Sequence, residues 1–288
     1  MMLSVLIPTH EHVCYRLVAD LHSQCEECDI DYEIIVLEDG GRDQVAHIAN
    51  LKINELLHCR YERRANNVGR AAIRNSLADM SCGEWLLFID SDAQVVRSDY
   101  VLRYVAAARE GHQLVCGGII HRDTPPEPDK MLRWHYERDY ERKVGRVSPQ
   151  LRTFNFMVSR PLFMRVRFDE SFRTYGWEDL LFGVMMREGG ADVYGIDNPL
   201  LNDEIESSSR FLEKTRESLR TLHGHAALLE RHTRVGRVAA ECRKRHVDGL
   251  IRCVFRMGRY LMERNLMSRN PDLRLFAFYK LAYYLSLS

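Results

Sequence analysis

Short apolar runs alternate with stretches of helical spacing through the first 120 positions. Positions 3–8 form one such run, which Pro8 ends. From 13 to 25, Val13, Leu17, Val18 and Leu21 share one helical face. A second, β-branched run at 32–37 stops in Glu38-Asp39-Gly40-Gly41, a turn signal. A third strand fits 56–61, and a helix opening at a glycine fits 67–80. Strand 84–89, helix 99–108 and strand 114–120 follow. Strands and helices in this alternation predict an α/β fold, with a mainly parallel sheet flanked by helices on both faces.

The rhythm then loosens. Positions 122–128 are rich in proline and charge and read as an exposed loop, and 131–143 set Trp134, Tyr136 and Tyr140 among charges. Strand character returns at 153–158 and 191–196, with a helix at 178–187 between them. From 209 almost to the end the pattern is helical. Val247, Leu250, Ile251, Val254, Phe255 and Leu261 mark an apolar stripe, with Arg243, Lys244, Arg245, Arg252, Arg256 and Arg259 largely around it. There is no internal repeat, and no run of apolar residues is long enough to span a membrane.

Formal net charge is zero over 288 residues, but it is unevenly spread. Positions 205–288 hold 17 Lys/Arg against 8 Asp/Glu, and positions 1–204 hold 24 against 33. A basic tail on an acidic body suits contact with something anionic. No nucleic-acid recognition module accompanies the charge, which argues against that partner. The tail reads either as a peripheral anchor on anionic lipid or as a helical subdomain with a solvated basic face. The 8 cysteines are scattered, and the strand-like start does not resemble a signal sequence, so a reducing cytoplasm is expected. Cys25 and Cys28 have zinc-like spacing without a second pair, and read as ordinary thiols near a helix end.

Candidate chemistry gathers where the runs stop. Trp85-Leu86-Leu87-Phe88-Ile89 is apolar throughout, as in a strand buried on both faces, and it ends in Asp90-Ser91-Asp92. Open α/β sheets bind ligands at the C-terminal ends of their strands. Two carboxylates there suit a hard divalent cation, which commonly clamps phosphates. Upstream, Gly69 at a helix start lets backbone N–H groups approach an anion, and Arg74 could fork onto a phosphate. Downstream, Tyr175-Gly176-Trp177-Glu178-Asp179 sets two acids beside aromatic residues. The acids could simply complement a helix dipole, but a carboxylate beside Trp177 also suits a general base.

Taken in order, Val5-Leu6-Ile7-Pro8-Thr9, Leu37-Glu38-Asp39-Gly40, Asn67-Val68-Gly69 with Ile73-Arg74-Asn75, Phe88-Ile89-Asp90-Ser91-Asp92 and Gly176-Trp177-Glu178-Asp179 resemble a family 2 glycosyltransferase of the GT-A fold. The similarity covers positions 3–198. Phe168-Asp169-Glu170 with the 175–179 cluster looks like a galactosyltransferase-type acceptor region, and the tail resembles helical extensions of bacterial members that build surface polysaccharides. The resemblance implies a Rossmann-like GT-A domain over 1–204 and a basic α-helical extension over 205–288. It implies an inverting, metal-dependent transfer from a nucleotide-diphosphate sugar, usually UDP-linked, to a saccharide or lipid-linked saccharide. That reaction would take place in the cytoplasm or peripherally on the inner membrane.

By the same resemblance, Pro8, Thr9 and Glu11 line the nucleoside pocket and Asp39 faces the base. Asn67, Gly69 and Arg74 lie along the nucleotide and its phosphates. Asp90, with Ser91, reaches the ribose or metal-bound water, and Asp92 ligates Mn2+ or Mg2+. Asp179 is the base, while Glu178 and Trp177 hold the acceptor. Two departures stand out. The family often has Asp where this chain has Glu38 and Ser where it has Gly41. Many relatives also carry a metal-binding His where this chain has Asn202 or Asp203, with His121 and His135 as alternative nitrogen donors. A nucleotide-sugar-binding protein of the same fold with weakened catalysis is the rival reading. A nucleotidyltransferase is disfavoured, because Pro8-Thr9-His10-Glu11 stands where a glycine-rich loop with a lysine would be needed.

Overall fold

The structure is a computed structural model, and it describes residues 1–138, 151–202 and 204–287. In chain order the elements begin β1 (Met2–Thr9), α1 (Tyr15–Glu26), β2 (Asp31–Glu38), α2 (Gln44–Leu51), β3 (Cys59–Arg63), α3 (Arg70–Met80), β4 (Trp85–Ile89), β5 (Ala93–Gln94), α4 (Tyr100–Arg109), β6 (Leu114–Cys116) and β7 (Ile119–His121). They continue with α5 (Met131–Tyr136), β8 (Asn155–Ser159), α6 (Arg160–Val166), α7 (Glu178–Glu188), β9 (Tyr194–Gly195), β10 (Leu200–Asn202), α8 (Ser208–Gly224), α9 (Ala226–Leu229), α10 (Arg234–Lys244), α11 (Asp248–Leu266) and α12 (Leu273–Leu285).

The chain forms two units. The first takes in Met1–Arg122 and the described residues of Val144–Arg173 and Glu178–Asp203. The second takes in the described residues of Asp123–Lys143, Thr174–Trp177 and those of Glu204–Ser288. The helical unit therefore includes two short pieces from within 1–204 besides the C-terminal run.

The first unit is built on a seven-stranded sheet of order β3-β2-β1-β4-β8-β6-β9. β1 pairs in parallel with both β2 and β4, β2 with β3, and β6 with β9, while β8 runs antiparallel to β4 and β6. This is the expected mixed, mainly parallel sheet. Side chains alternate across it. Val5, Ile7, Leu87 and Ile89 join one core with Val18, Leu21 and Tyr100, and Leu6, Leu86 and Phe88 join the other with Ile73, Leu77 and Phe163. Burial on both faces is why these strands read as unbroken apolar runs. Between β1 and β4 the order of strands reverses, which opens the crevice used for ligands in such sheets.

Three local expectations change. The strand expected at 114–120 is two strands, β6 and β7, in different sheets. Gly117 and Gly118 separate them. Gly118 has φ +86°, and a Cβ on Gly117 would lie 2.4 Å from the Tyr104 hydroxyl and 2.5 Å from the Asn198 carbonyl oxygen. The strand at 56–61 is displaced to β3. Helix α2 arises where periodicity gave none, because Asp43 caps it by accepting from the N–H groups of Val45 and Ala46.

In the second unit, Phe211, Phe276 and Tyr136 pack as an aromatic cluster, and Arg216 donates to Glu263 and to the Tyr279 hydroxyl at 2.5 and 2.7 Å. The aromatic segment 131–143 contributes α5 to this unit, and its positions 139–143 lie outside the described residues. No helix among the described residues is long and apolar enough to cross a membrane. Cys25 is buried and Cys28 half-buried at the end of α1, both as free thiols.

Candidate active site

The first two parallel strands end side by side, with the Asp39 N–H donating to the Thr9 carbonyl at 2.9 Å. Asp39 is buried, and its carboxylate is committed. Oδ1 accepts from the Val68 N–H at 2.8 Å and Oδ2 from the Gly69 N–H at 3.0 Å. It thereby ties the end of β2 to the loop that leads into α3. Gly69, with φ +90°, is the N-cap of α3. Gly40, with φ +69°, approaches so closely that a Cβ would lie 2.3 Å from the backbone of Asn66 and Asn67. Only glycine fits both demands.

Glu38 and Gly41, which together make one of the departures from the resembled pattern, are linked by packing. The Glu38 carboxylate is buried and accepts the Glu11 N–H at 2.8 Å. A Cβ on Gly41 would stand 2.3 Å from Glu38 Oε1. The longer acid occupies the volume that a serine at 41 would need. Glu11, held at φ +53°, in turn accepts the Arg42 N–H at 2.7 Å.

Charge converges one strand further on. Arg74, on α3, is 2% exposed, among the largest fully buried side chains. Its Nη2 lies 2.6 Å from Asp90 Oδ1, its Nη1 lies 4.0 Å from Glu178 Oε1, and its guanidinium sits over the Phe168 ring at 5.6 Å. The guanidinium is therefore spent on two carboxylates rather than extended toward solvent as a phosphate fork. Burial, and next the charge of Asp179, push the Glu178 carboxyl above its ordinary range, while Arg70 and Arg74 pull the other way. Asp179, at the first turn of α7, accepts the Leu180 N–H at 2.7 Å and is only half-buried.

Asp90-Ser91-Asp92 forms the turn out of β4, closed by the Ala93 N–H donating to the Asp90 carbonyl at 3.1 Å. The turn leads into a separate three-stranded sheet, β5-β10-β7. In its register Asn202 lies opposite Ala93 on one side and His121 on the other. The fold thus brings Asn202 beside the residue that follows Asp92, and His121 one strand beyond. Among the described residues no group of three His, Cys, Asp or Glu could by itself hold a metal ion. Asp90, Asp92 and Asn202 carry oxygen donors of the kind that hard divalent cations take, and such ions complete their shells with water or phosphate. This arrangement fits Mn2+ or Mg2+ shared with a ligand.

Pro8, Thr9, Glu11, Asp39, Gly69, Arg74, Asp90, Ser91, Asp92, Glu178, Asp179 and Asn202 all belong to the first unit, as does the exposed Asn67. Trp177 belongs to the second, where its indole N–H donates to the Ser218 carbonyl at 2.6 Å. His135 is likewise in the second unit. One organising residue carries no motif. Asn155, at the start of β8, accepts from the Tyr100 and Tyr104 hydroxyls, each at 2.6 Å, and donates to the carbonyls of Gly118 and Asn198 at 2.9 and 3.0 Å. It pins the chain on either side of the 90–93 turn, since β8 pairs with β4 through Ile89. Its only signal in sequence is a polar residue opening an apolar run.

A family model described as Glycosyl transferase family 2 matches residues 4–175. Curated relatives described as PGL/p-HBAD biosynthesis glycosyltransferases, from Mycobacterium bovis and Mycobacterium tuberculosis, are 30% identical over 125 residues, which is 43% of this chain and 48% of theirs. The match thus spans about half the length of those relatives. Among solved structures, the mannosyltransferase PcManGT from Pyrobaculum calidifontis, in complex with GDP-Man and Mn2+, aligns with a TM-score of 0.55 at 16% identity, covering 78% of this chain and 64% of that one. S. aureus TarS 1-349 in complex with UDP-GlcNAc aligns with a TM-score of 0.51 at 18% identity, covering 99% and 89%. At such identities the likeness is one of fold, the GT-A arrangement of a mainly parallel sheet with flanking helices.

Proposed function

The chain belongs to glycosyl transferase family 2, and from that footing we propose that it transfers a sugar from a nucleotide-diphosphate sugar, UDP-linked, to a hydroxyl of a saccharide acceptor, with inversion at the anomeric carbon. The observation that carries this reading is the sequence of charge Asp90–Arg74–Glu178, at 2.6 and 4.0 Å, at the edge of the sheet where the strand order reverses. PcManGT and TarS hold GDP-Man and UDP-GlcNAc in structures of the same fold.

The base of the nucleotide would lie against Asp39. An ionised carboxylate has about four acceptor sites, so two N–H bonds to the loop leave capacity for a ring N–H. Pro8, Thr9 and Glu11 would border the nucleoside, and the 67–69 loop with its backbone N–H groups would follow the phosphates. Arg74 acts on the ligand through Asp90. It orients that carboxylate toward the ribose, with Ser91 beside it, which makes Arg74 a positioning residue. Asp92, with Asn202 near it, would hold Mn2+ or Mg2+. When bound, the ion would offset negative charge on the departing diphosphate.

In the transfer, the acceptor oxygen forms its bond to the anomeric carbon as the bond from that carbon to the diphosphate oxygen breaks. The hydroxyl proton passes to Asp179. Glu178, buried and beside Arg74, holds the acceptor sugar. A single displacement inverts the centre, and positive charge builds on the ring as it does in glycoside hydrolysis. A lipid-linked saccharide, as in surface polysaccharide or glycolipid synthesis, is the acceptor class that this reading favours. It would bring the enzyme to the cytoplasmic face of the membrane.

The experiment is a panel of sugar nucleotides, each tested for binding and slow hydrolysis with Mn2+ and with chelator. Metal-dependent binding and turnover of one donor is the expected result. Binding without turnover, under any metal and with saccharide acceptors present, would favour a nucleotide-sugar-binding protein of this fold. Absence of binding by all would overturn the proposal.

A further inference from the structure

Helix α11 is amphipathic twice over. Its inner side carries the buried Phe255, Met262 and Leu266, with the Phe255 ring edge-on to Tyr279 and Tyr283 of α12. The opposite side is also apolar, and it is bare. Leu250 is 68% exposed, Met257 74%, Tyr260 75% and Leu261 66%, with Val254 among them. At about 100° per residue these five positions fall within an arc of about 120°. An outward apolar stripe is the opposite of what a solvated surface helix shows.

Basic side chains border the stripe. Arg252, Arg256 and Arg259 follow next around the helix on the Tyr260 side, and Arg264 continues the stripe toward its C-terminal end. Arg252 pairs with Asp248 at 2.8 Å and Arg259 with Glu263 at 2.7 Å. Arg256 and Arg264 form no ion pair among the described residues. Over 234–269 the chain has 10 Lys/Arg against 3 Asp/Glu.

We propose that the outward face of α11 is a membrane-binding face, which lies in the plane of an anionic bilayer with Leu250, Val254, Met257 and Leu261 among the acyl chains. Charge selects this occupant. Anionic headgroups neutralise the one-sided arginine row together with Arg256 and Arg264, whereas a second copy docked antiparallel about a two-fold axis would set the same arginine rows against each other. Tyr260 suits the headgroup level, where amphipathic rings concentrate, and arginine stems can lie on apolar surface while their guanidiniums reach phosphate. The helix is about 28 Å long at 1.5 Å per residue, yet not apolar enough to cross a membrane. It therefore lies on the surface. This inference is independent of the proposed glycosyl transfer, and its test reads binding alone.

The full chain is sedimented with vesicles of phosphatidylcholine and of phosphatidylcholine mixed with phosphatidylglycerol, at low and high salt. The expected result is binding to the anionic vesicles only, weakened by salt. Leu250→Ser/Met257→Ser/Leu261→Ser, checked for unchanged circular dichroism and melting, should bind about tenfold or more weakly. As a single-site check, Tyr260→Trp should add a fluorescence component that shifts to the blue with anionic vesicles and is quenched by brominated acyl chains. The proposal is overturned if wild type fails to bind anionic vesicles, if the triple variant binds as well as wild type, or if the added tryptophan stays in water. It is also overturned if the triple substitution turns a dimer into a monomer while vesicle binding is unchanged, which would make the face a contact between copies.

Discussion

Arg74→Met removes the counter-charge on which the candidate site is assembled. Methionine keeps an unbranched stem over Phe168 but leaves Asp90 and Glu178 without their shared cation. Breaking a buried ion pair from one side costs about 3–5 kcal/mol. The Asp90 side chain is 21% exposed, so water recovers part of its solvation, and the expected loss falls to about 2–3 kcal/mol. For a unit of this size that lowers the melting temperature by about 4–12 °C. Denaturation of the single variants and of Arg74→Met/Asp90→Asn forms a double-mutant cycle. Because the second substitution removes the stranded charge, the double variant should recover about 1 kcal/mol or more relative to additivity. A loss under about 0.5 kcal/mol for Arg74→Met, or additive losses, would refute the idea that this pair organises the site.

Three further outcomes follow from the same geometry. Burial raises the Glu178 carboxyl above its ordinary 4.5, so the folded chain holds that proton more tightly than the unfolded chain, and the stabilising protonation is lost as pH rises through the folded value. Glu178→Gln should accordingly melt higher than wild type at neutral pH, with the gain fading as pH falls through the raised folded value and gone below about 4.5; an equal gain at every pH would contradict it. Gly41→Ser should destabilise by about 1–3 kcal/mol through its clash with Glu38, and Glu38→Asp/Gly41→Ser should regain most of that in chemical denaturation. No recovery would mean that Glu38 and Gly41 are not linked by packing. Asp179→Asn should abolish transfer while leaving donor affinity within about threefold by calorimetry, and a collapse of donor binding would remove Asp179 from the role of base.

Legibility differs between parts of the molecule for physical reasons. β1, β2 and β4 stand out in the sequence because both faces are buried, which leaves apolar runs with abrupt polar ends. Those ends are where Thr9, Asp39 and Asp90 lie. The break between β6 and β7 was hidden because it depends on the close approach of Tyr104 and Asn198 to Gly117, which no local pattern encodes. Asn155 was hidden for the same reason, as four hydrogen-bonding partners distant in sequence give it its role. Arg74 was visible as a charge near a helix start, but its direction was not. Its guanidinium is buried and turned toward Asp90 and Glu178, a direction set by contacts distant in sequence. An apolar stripe on α11 was legible as periodicity, but it joined Phe255, which faces inward, to Leu250, Val254 and Leu261, which are bare, and it left out Met257 and Tyr260.

The most direct test of the central claim is calorimetric titration of UDP into the full chain with Mn2+, repeated in chelator and with Asp92→Ala. The account predicts binding with Mn2+ that is lost both in chelator and in the variant. UDP binding of equal strength in all three conditions, or none in any, would contradict a nucleotide diphosphate held through a cation at Asp92.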